Sequence, residues 1–251
     1  MAFGAEKQVY TGTRVDQAEF DAGLRAHMLR VYNYMVCGLL LTGILAVVVA
    51  QFSVVTNDAG QIVGLTSLGQ TLFGSPLKWV VMLAPLGLVF FLSARLHKMS
   101  YSTAQTTFWV YAALMGISLA TIFMAFTGAS VARVFFITAG TFAGMSLWAY
   151  TTKKDLSGWG SFLFMGLIGI IIAMIVNIFI GSSALQFAIS VIGVLVFVGL
   201  TAYDTQNIKN EYAEHYDEET QGKLAISGAL RLYLDFINLF IMLLHLFGNR
   251  E

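Results

Sequence analysis

Seven long apolar segments constrain this chain more than any other feature of its sequence. Each contains about 20 residues, the length that an α-helix needs to cross a hydrocarbon layer about 30 Å thick. Apolar residues are continuous within each segment, whereas barrel strands would alternate with a period of two. The sequence therefore predicts an all-α membrane protein, a seven-helix transmembrane bundle with spans at residues 33–52, 78–97, 105–126, 131–151, 159–180, 185–206 and 224–247.

Composition supports this class of protein. Hydrophobic residues make up 57% of the chain and charged residues 11%, against about 45–50% and about 25% in soluble domains. The net charge is zero and no basic tract occurs, so nucleic acid is excluded as a partner and the lipid bilayer is expected. The one cysteine, Cys37, cannot form a disulfide within the chain, and we expect it to be a buried, unreactive thiol.

The distribution of basic residues predicts the orientation of the bundle. With these spans, eleven of the fourteen Lys and Arg residues lie on the side of the amino terminus, and basic residues are retained in the cytoplasm. We therefore expect a cytoplasmic amino terminus and an external carboxyl terminus. Residues 1–30 lack the pattern of a cleaved signal peptide. Residues 1–32 are predicted to be a cytoplasmic segment with a short amphipathic helix, or alternatively a solvated charged tail, and residues 33–251 the transmembrane domain.

Small residues within the spans predict close helix packing. Gly140 and Gly144, in "GTFAG", have the spacing that allows two helix backbones to approach each other in a membrane. We expect these glycines to lie at a helix–helix contact and assign them no ligand.

Three charged residues within the spans are costly to place there. An ionisable group near the centre of a span costs at least about 2.5–3.5 kcal/mol, so it usually faces a cavity, a partner or a pathway. These residues are Arg95, Asp204 and Asp235. Arg95 and Asp204 lie near span ends, where either could instead reach the interface. Asp204 shares one helix face with Thr201 and Asn207, which are predicted as supporting polar groups.

The last span has all its polar residues on one face. Arg231, Asp235, Asn238 and His245 follow one another at steps of four, three and seven residues, so the stripe should face away from lipid and the last helix should lie at the centre of the bundle. Asp235 follows residue 224 by about 16 Å of helix, near mid-membrane. Arg231 could form an i, i+4 ion pair with it. His245 is expected at the interface, outside the site.

The two aspartates together suggest a switch that responds to pH. Two neighbouring carboxylates in a low-dielectric site cannot both ionise cheaply, so the pair would share a proton and respond to pH. Once deprotonated, with nearby oxygens such as that of Asn238, they would be suitable ligands for Ca²⁺. Arg95 and Arg231 both remain candidates for the cation that pairs with them.

The segments "GLTAYDTQNIK" and "LYLDFINLF" resemble the Bax inhibitor family, the transmembrane Bax-inhibitor-motif proteins, in a bacterial version. The resemblance extends over the chain from about residue 20. It implies a pH-sensitive calcium leak channel of the bacterial inner membrane, in which Asp204 and Asp235 form the proton sensor and Arg95, from the second helix, is the latch that pairs with an aspartate in the closed state. Arg231 competes for that role.

The resemblance also implies a different class of function. Bacterial relatives are linked to a membrane-bound AAA protease as modulators, and eukaryotic ones to suppression of cell death. A membrane interaction protein is therefore the alternative hypothesis, and a proton-coupled cation exchanger is a further one. The oligomeric state stays open. We expect that the protein is not an enzyme and binds no cofactor. Its "AYDTQ" segment differs from the "GxGD" pattern of intramembrane aspartyl proteases. The sequence also lacks a phosphate-binding loop and a metal-binding pair of histidines.

Overall fold

A computed structural model describes residues 12–57 and 62–249 of the chain, with the side chains of residues 12–18 and 97 left aside. Within these residues, seven helices are long and apolar enough to span a membrane, which confirms the seven-helix prediction. They are α1 Gly12–Ser53, α2 Leu77–Arg95, α3 Tyr101–Ala125, α4 Gly128–Thr151, α5 Gly160–Ile180, α6 Ser183–Glu211 and α7 Glu218–Phe247.

The last helix lies at the centre of the bundle, as its polar stripe predicted. In the most apolar stretch of α7, 61% of the residues are buried, compared with 11% in α2 and α5. α7 packs against α1, α3, α4 and α6. Any polar side chain on α7 that points inward is therefore surrounded by protein.

The first helix differs from the sequence-based prediction. α1 runs from Gly12 to Ser53 without a break, so the predicted amphipathic helix is the first part of the first span's own helix. The chain has no turn-forming Gly or Pro between residues 24 and 37, which lets one helix continue. Cys37 is exposed on its surface, so the expectation of a buried thiol is wrong.

Glycines bring the helices together, but at positions other than the predicted ones. A Cβ on Gly116 of α3 would lie 2.7 Å from the Thr42 carbonyl oxygen of α1, whereas a Cβ on Gly140 or Gly144 would meet nothing within 4 Å. The prediction that those two glycines form a helix contact is wrong, because they face outward on α4. A Cβ on Gly228 of α7 would lie 3.1 Å from the Ile208 side chain of α6, so the glycine allows these two helices to come close together.

Polar contacts connect the loops at each end of the bundle. We call the end formed by residues 96–100, 152–159 and 212–217 the basic end. There the Gln206 side chain accepts a hydrogen bond from the Leu156 N–H (2.7 Å) and donates one to the Lys154 carbonyl oxygen (2.8 Å). At the opposite end, the Asn249 N–H donates to Ser130 Oγ at 2.8 Å, and a short hairpin pairs Val54–Thr56 with Ile62–Leu65.

Candidate functional site: an aspartate pair between the last two helices

The close packing of α6 and α7 brings Asp204 and Asp235 together. Their carboxyl groups lie next to each other. Asp235 is only 4% exposed, and the Asp204 side chain is 15% exposed. The structure thus joins the two acids that the sequence analysis selected from separate spans.

A hydrogen bond between two carboxyl groups requires a proton on one of them, because an ionised carboxylate only accepts hydrogen bonds. Asp235 Oδ2 is buried and has no hydrogen-bond partner among the described residues. An unpaired anionic oxygen at such a position would be costly. Two neighbouring carboxyl groups at such a buried position are therefore suited to sharing one proton.

Arg231 supplies the positive charge beside this carboxylate. Its Nη1 atom lies 3.8 Å from Asp204 Oδ1, an ion-pair distance that exceeds a hydrogen bond. Its Nη2 atom donates to Glu211 Oε2 at the end of α6. The four side chains form a polar ladder, which leads from the basic end to the buried pair in the order Glu211, Arg231, Asp204, Asp235.

Arg95 occupies a different environment. It is the last residue of α2, is exposed, and lies within 4.0 Å of no carboxylate among the residues that the structure describes. The structure thus places Arg231, and not Arg95, next to an aspartate. The partner of Arg231 is Asp204 on the neighbouring helix instead of Asp235 on its own.

The predicted supporting residues mostly bond to their own helices. The Thr201 hydroxyl donates to the Phe197 carbonyl oxygen and the Asn238 amide to the Leu234 carbonyl oxygen, both at 2.8 Å. Asn207 is half-buried and His245 is exposed. These bonds satisfy polar groups inside the bundle, and they leave the side-chain oxygen of Asn238 available as a potential ligand.

The structure adds a member that the sequence analysis missed. Glu211 follows Asp204 by seven residues, two helical turns on the same face, and that spacing could have identified it. It was overlooked because a glutamate just beyond a span is an ordinary surface residue.

A second contact network connects α6 with the outer helices. Thr205, next to Asp204, exchanges a hydrogen bond with Ser146 of α4 at 2.9 Å, and Ser146 exchanges another with Tyr32 of α1 at 2.5 Å. His27 of α1 is buried, lies near Arg30 and Glu211, and stacks against Tyr212 at 5.6 Å between ring centroids. Local sequence patterns carry no signal for these contacts between distant segments.

The donor set limits what the site can hold. Among residues 12–57 and 62–249 no group of three or more His, Cys, Asp or Glu side chains is arranged to bind a metal ion. A tightly bound Ca²⁺ ion normally has six to eight oxygen ligands. Two carboxyl groups alone are too few ligands for such a resident ion.

Comparison with known proteins defines the class to which this bundle belongs. A family model described as "Inhibitor of apoptosis-promoting Bax1" matches residues 24–251. The chain therefore belongs to the Bax inhibitor family.

Its relatives include inner membrane protein YbhL of Escherichia coli strain K12, 48% identical over 232 residues that cover 92% of this chain and 94% of YbhL. Uncharacterized protein RP147 of Rickettsia prowazekii is 46% identical over 232 residues, covering 92% of this chain and 93% of RP147. An uncharacterized protein of Caulobacter vibrioides is 45% identical over 238 residues, covering 92% of each chain. Together with the seven apolar helices, these matches support an integral protein of a bacterial inner membrane.

Proposed function

We propose that this protein is a pH-sensitive cation leak channel, with Ca²⁺ as the cation, and that it is not an enzyme. The observation that carries the proposal is the buried contact between Asp204 and Asp235 with Arg231 beside it. We further propose that the amino terminus and the basic end face the cytoplasm, because eleven of fourteen basic residues fall on that side.

The ladder suggests how the closed state is stabilised. Arg231 contacts carboxylates at two levels of α6, Asp204 and Glu211, and thereby connects α7 to α6. An ion pair of this kind requires ionised carboxylates. Its stabilising effect is therefore present when Asp204 is ionised and lost when Asp204 takes up a proton.

Acidification should therefore open the channel. A second proton on the pair neutralises Asp204 and removes its attraction for Arg231, so α6 and α7 can separate at the basic end. Glu211 and His27 are the other titratable groups near Arg231 and α6. Glu211 is exposed, whereas the Asp204 side chain is mostly buried beside Asp235, so we assign the pH response to Asp204.

Calcium is the proposed ion because the site offers only oxygen ligands of a hard type. The carboxyl oxygens of Asp204 and Asp235 and the amide oxygen of Asn238 are oxygen ligands, the type that Ca²⁺ prefers. A cation that meets two carboxyl groups for a short time binds weakly enough to leave again, as conduction requires.

Calcium flux into proteoliposomes containing the purified protein tests this function. Asp204→Asn should give a leak that no longer depends on pH, because an amide cannot ionise to pair with Arg231. Asp235→Asn should also change the pH dependence of the leak, because an amide cannot share a proton with Asp204. Asp155→Asn, an exposed acid at the same end of the bundle, is the matched control and should behave as wild type.

Unchanged flux and pH response in both aspartate variants would overturn the proposal. A flux that stops when the proton gradient is abolished by an ionophore would instead identify a proton-coupled exchanger. Wild-type liposomes that show no flux above protein-free liposomes would favour the interaction protein as the primary role.

A further inference from the structure

A long apolar groove runs along one side of the bundle, between α1 and α4. It consists of two adjoining cavities of about 660 and about 270 Å³ that share Leu39, Phe135 and Phe236. Phe236 belongs to the central helix α7 and forms the floor. We call this feature the α1–α4 groove.

The walls of the groove face the membrane and not the aqueous phase. Leu29 and Leu40 of α1 and Leu147 of α4 line it and are 52%, 57% and 65% exposed, and all three lie within spanning helices. Water at this depth would find few polar partners on such walls. Acyl chains are the material available to fill an apolar groove that opens sideways in a bilayer.

The mouth of the groove at the basic end is positively charged. Arg25 is the only charged side chain among the described residues that line the larger cavity, and it is exposed. Lys209 of α6 donates to the carbonyl oxygen of Tyr150, another lining residue, at 2.9 Å. Arg25 therefore lies where the larger cavity reaches the bundle end, Lys209 lies beside its lining residue Tyr150, and no acidic residue lines this cavity among the described residues.

The length of the larger cavity of the groove matches one lipid leaflet. From Arg25 to Leu40, the lining residues of α1 in the larger cavity, fifteen residues correspond to about 22 Å of helix. Half of a bilayer, including its headgroup region, is about 20–22 Å thick. With Arg25 at the headgroups, the apolar walls extend to about the middle of the membrane.

We propose that the α1–α4 groove is a binding site for an anionic phospholipid. The phosphate of the headgroup contacts Arg25 and Lys209, and one acyl chain lies between α1 and α4 on Phe236. Charge at the mouth selects an anionic over a zwitterionic headgroup, since guanidinium groups pair well with phosphate. This site is separate from the aspartate pair, and the proposal does not depend on the channel function.

Native mass spectrometry of the purified protein with added phosphatidylglycerol or phosphatidylcholine tests the proposal. Wild type should retain one phosphatidylglycerol per chain, at least about tenfold more tightly than phosphatidylcholine, a difference of about 1.4 kcal/mol. Ala143→Trp, which fills the groove at a small lining residue, should lose the bound lipid. Ala188→Trp, at an exposed alanine of α6 away from the groove, should retain it.

Arg25→Gln provides a second variant whose exposed position poses no risk to folding. It should still bind lipid but lose the preference for phosphatidylglycerol. Equal lipid retention by wild type and Ala143→Trp, or an unchanged preference in Arg25→Gln, would overturn the proposal. Displacement of the lipid by inorganic phosphate would indicate a free-anion site, and a dimer lost in Ala143→Trp would indicate a second copy of the chain as the occupant; either result also overturns it.

Discussion

The fifth and seventh helices have opposite surroundings in the same bundle. α5 is the most apolar of the seven, has no charged residue between Gly160 and Ile180, and is 11% buried in its apolar stretch. α7 is less apolar, carries Arg231 and Asp235, and is 61% buried. In a membrane the most hydrophobic helix faces lipid, and the helix that contains polar groups occupies the centre, where other protein groups can satisfy them.

The difference in burial between α5 and α7 indicates which helix can carry functional side chains. A side chain on α5 meets acyl chains, as Phe179 does at 84% exposed. A side chain on α7 meets other helices, as Asp235 does, and a change in its charge alters contacts between helices. A substitution in the centre of the bundle should therefore have a larger effect than a matched substitution elsewhere.

The largest expected effect is on stability. Leu239→Ala removes a fully buried side chain of α7 and should lower the free energy of unfolding by about 2–5 kcal/mol, because it leaves a cavity. Ile172→Ala in α5, where the side chain is 56% exposed to lipid, should change it little. Thermal unfolding of the purified proteins measures both, and equal losses would contradict the assignment of α7 as the core.

The arginine substitutions come next. Arg231→Gln removes the ion pairs with Asp204 and Glu211 and should raise the calcium leak at neutral pH about fivefold, corresponding to about 1 kcal/mol for a partly exposed pair. Arg95→Gln, at an exposed position without a nearby carboxylate in the described chain, should leave the leak unchanged. The reverse result in the proteoliposome assay would assign the latch to Arg95.

Glu211 should contribute less than Arg231, because it is more exposed. Glu211→Gln keeps the size of the side chain and leaves Arg231 in contact with Asp204, so we expect about a twofold increase in leak at neutral pH. Glu214→Gln in the adjacent loop, which is also exposed, is the control and should have no effect. A Glu211→Gln leak as large as that of Arg231→Gln would show that Glu211, and not Asp204, carries the closing interaction.

The smallest effect concerns the start of α7. Asp217 caps the helix by accepting a hydrogen bond from the Thr220 N–H at 3.3 Å. Hydrogen bonds from the Thr220 side chain and backbone lower the pKa of Asp217 below its ordinary value of 3.8. Its stabilising contribution is thus present at neutral pH and lost as the pH falls through the lowered pKa. Asp217→Ala should lower the melting temperature slightly at neutral pH and not at all in strong acid, whereas a pH-independent decrease would contradict a charge-dependent cap.

Much of the fold followed from the sequence because membrane insertion depends on local hydrophobicity. The seven spans and the central position of α7 needed only segment length and the polar face around Asp235. The continuity of α1 was missed because charged residues before residue 33 suggested a boundary that the backbone does not have. The predicted helix contact at Gly140 and Gly144 was wrong because a spacing of four residues permits close packing without requiring it.

The sequence predicted which two acids form the candidate site, but not which residues they contact. Asp204 and Asp235 were recognisable as charges within spans, since such charges are expensive. The choice between Arg95 and Arg231 depends on how helices are rotated about their axes, which tertiary packing determines. The α1–α4 groove depends on a gap between two helices that are distant in sequence, so no local pattern indicates it.

We propose that Asp204 and Asp235 share one proton and that the ionised Asp204 pairs with Arg231. Infrared difference spectroscopy of the protein in lipid, titrated from neutral to acidic pH, observes the C=O stretch of protonated carboxyl groups directly. We expect one buried protonated carboxyl at neutral pH, which should disappear in Asp235→Asn. A second should appear on acidification together with the calcium leak and should be absent in Asp204→Asn. Wild-type spectra that are unchanged in both variants, or a leak that rises without any new protonated carboxyl, would contradict it.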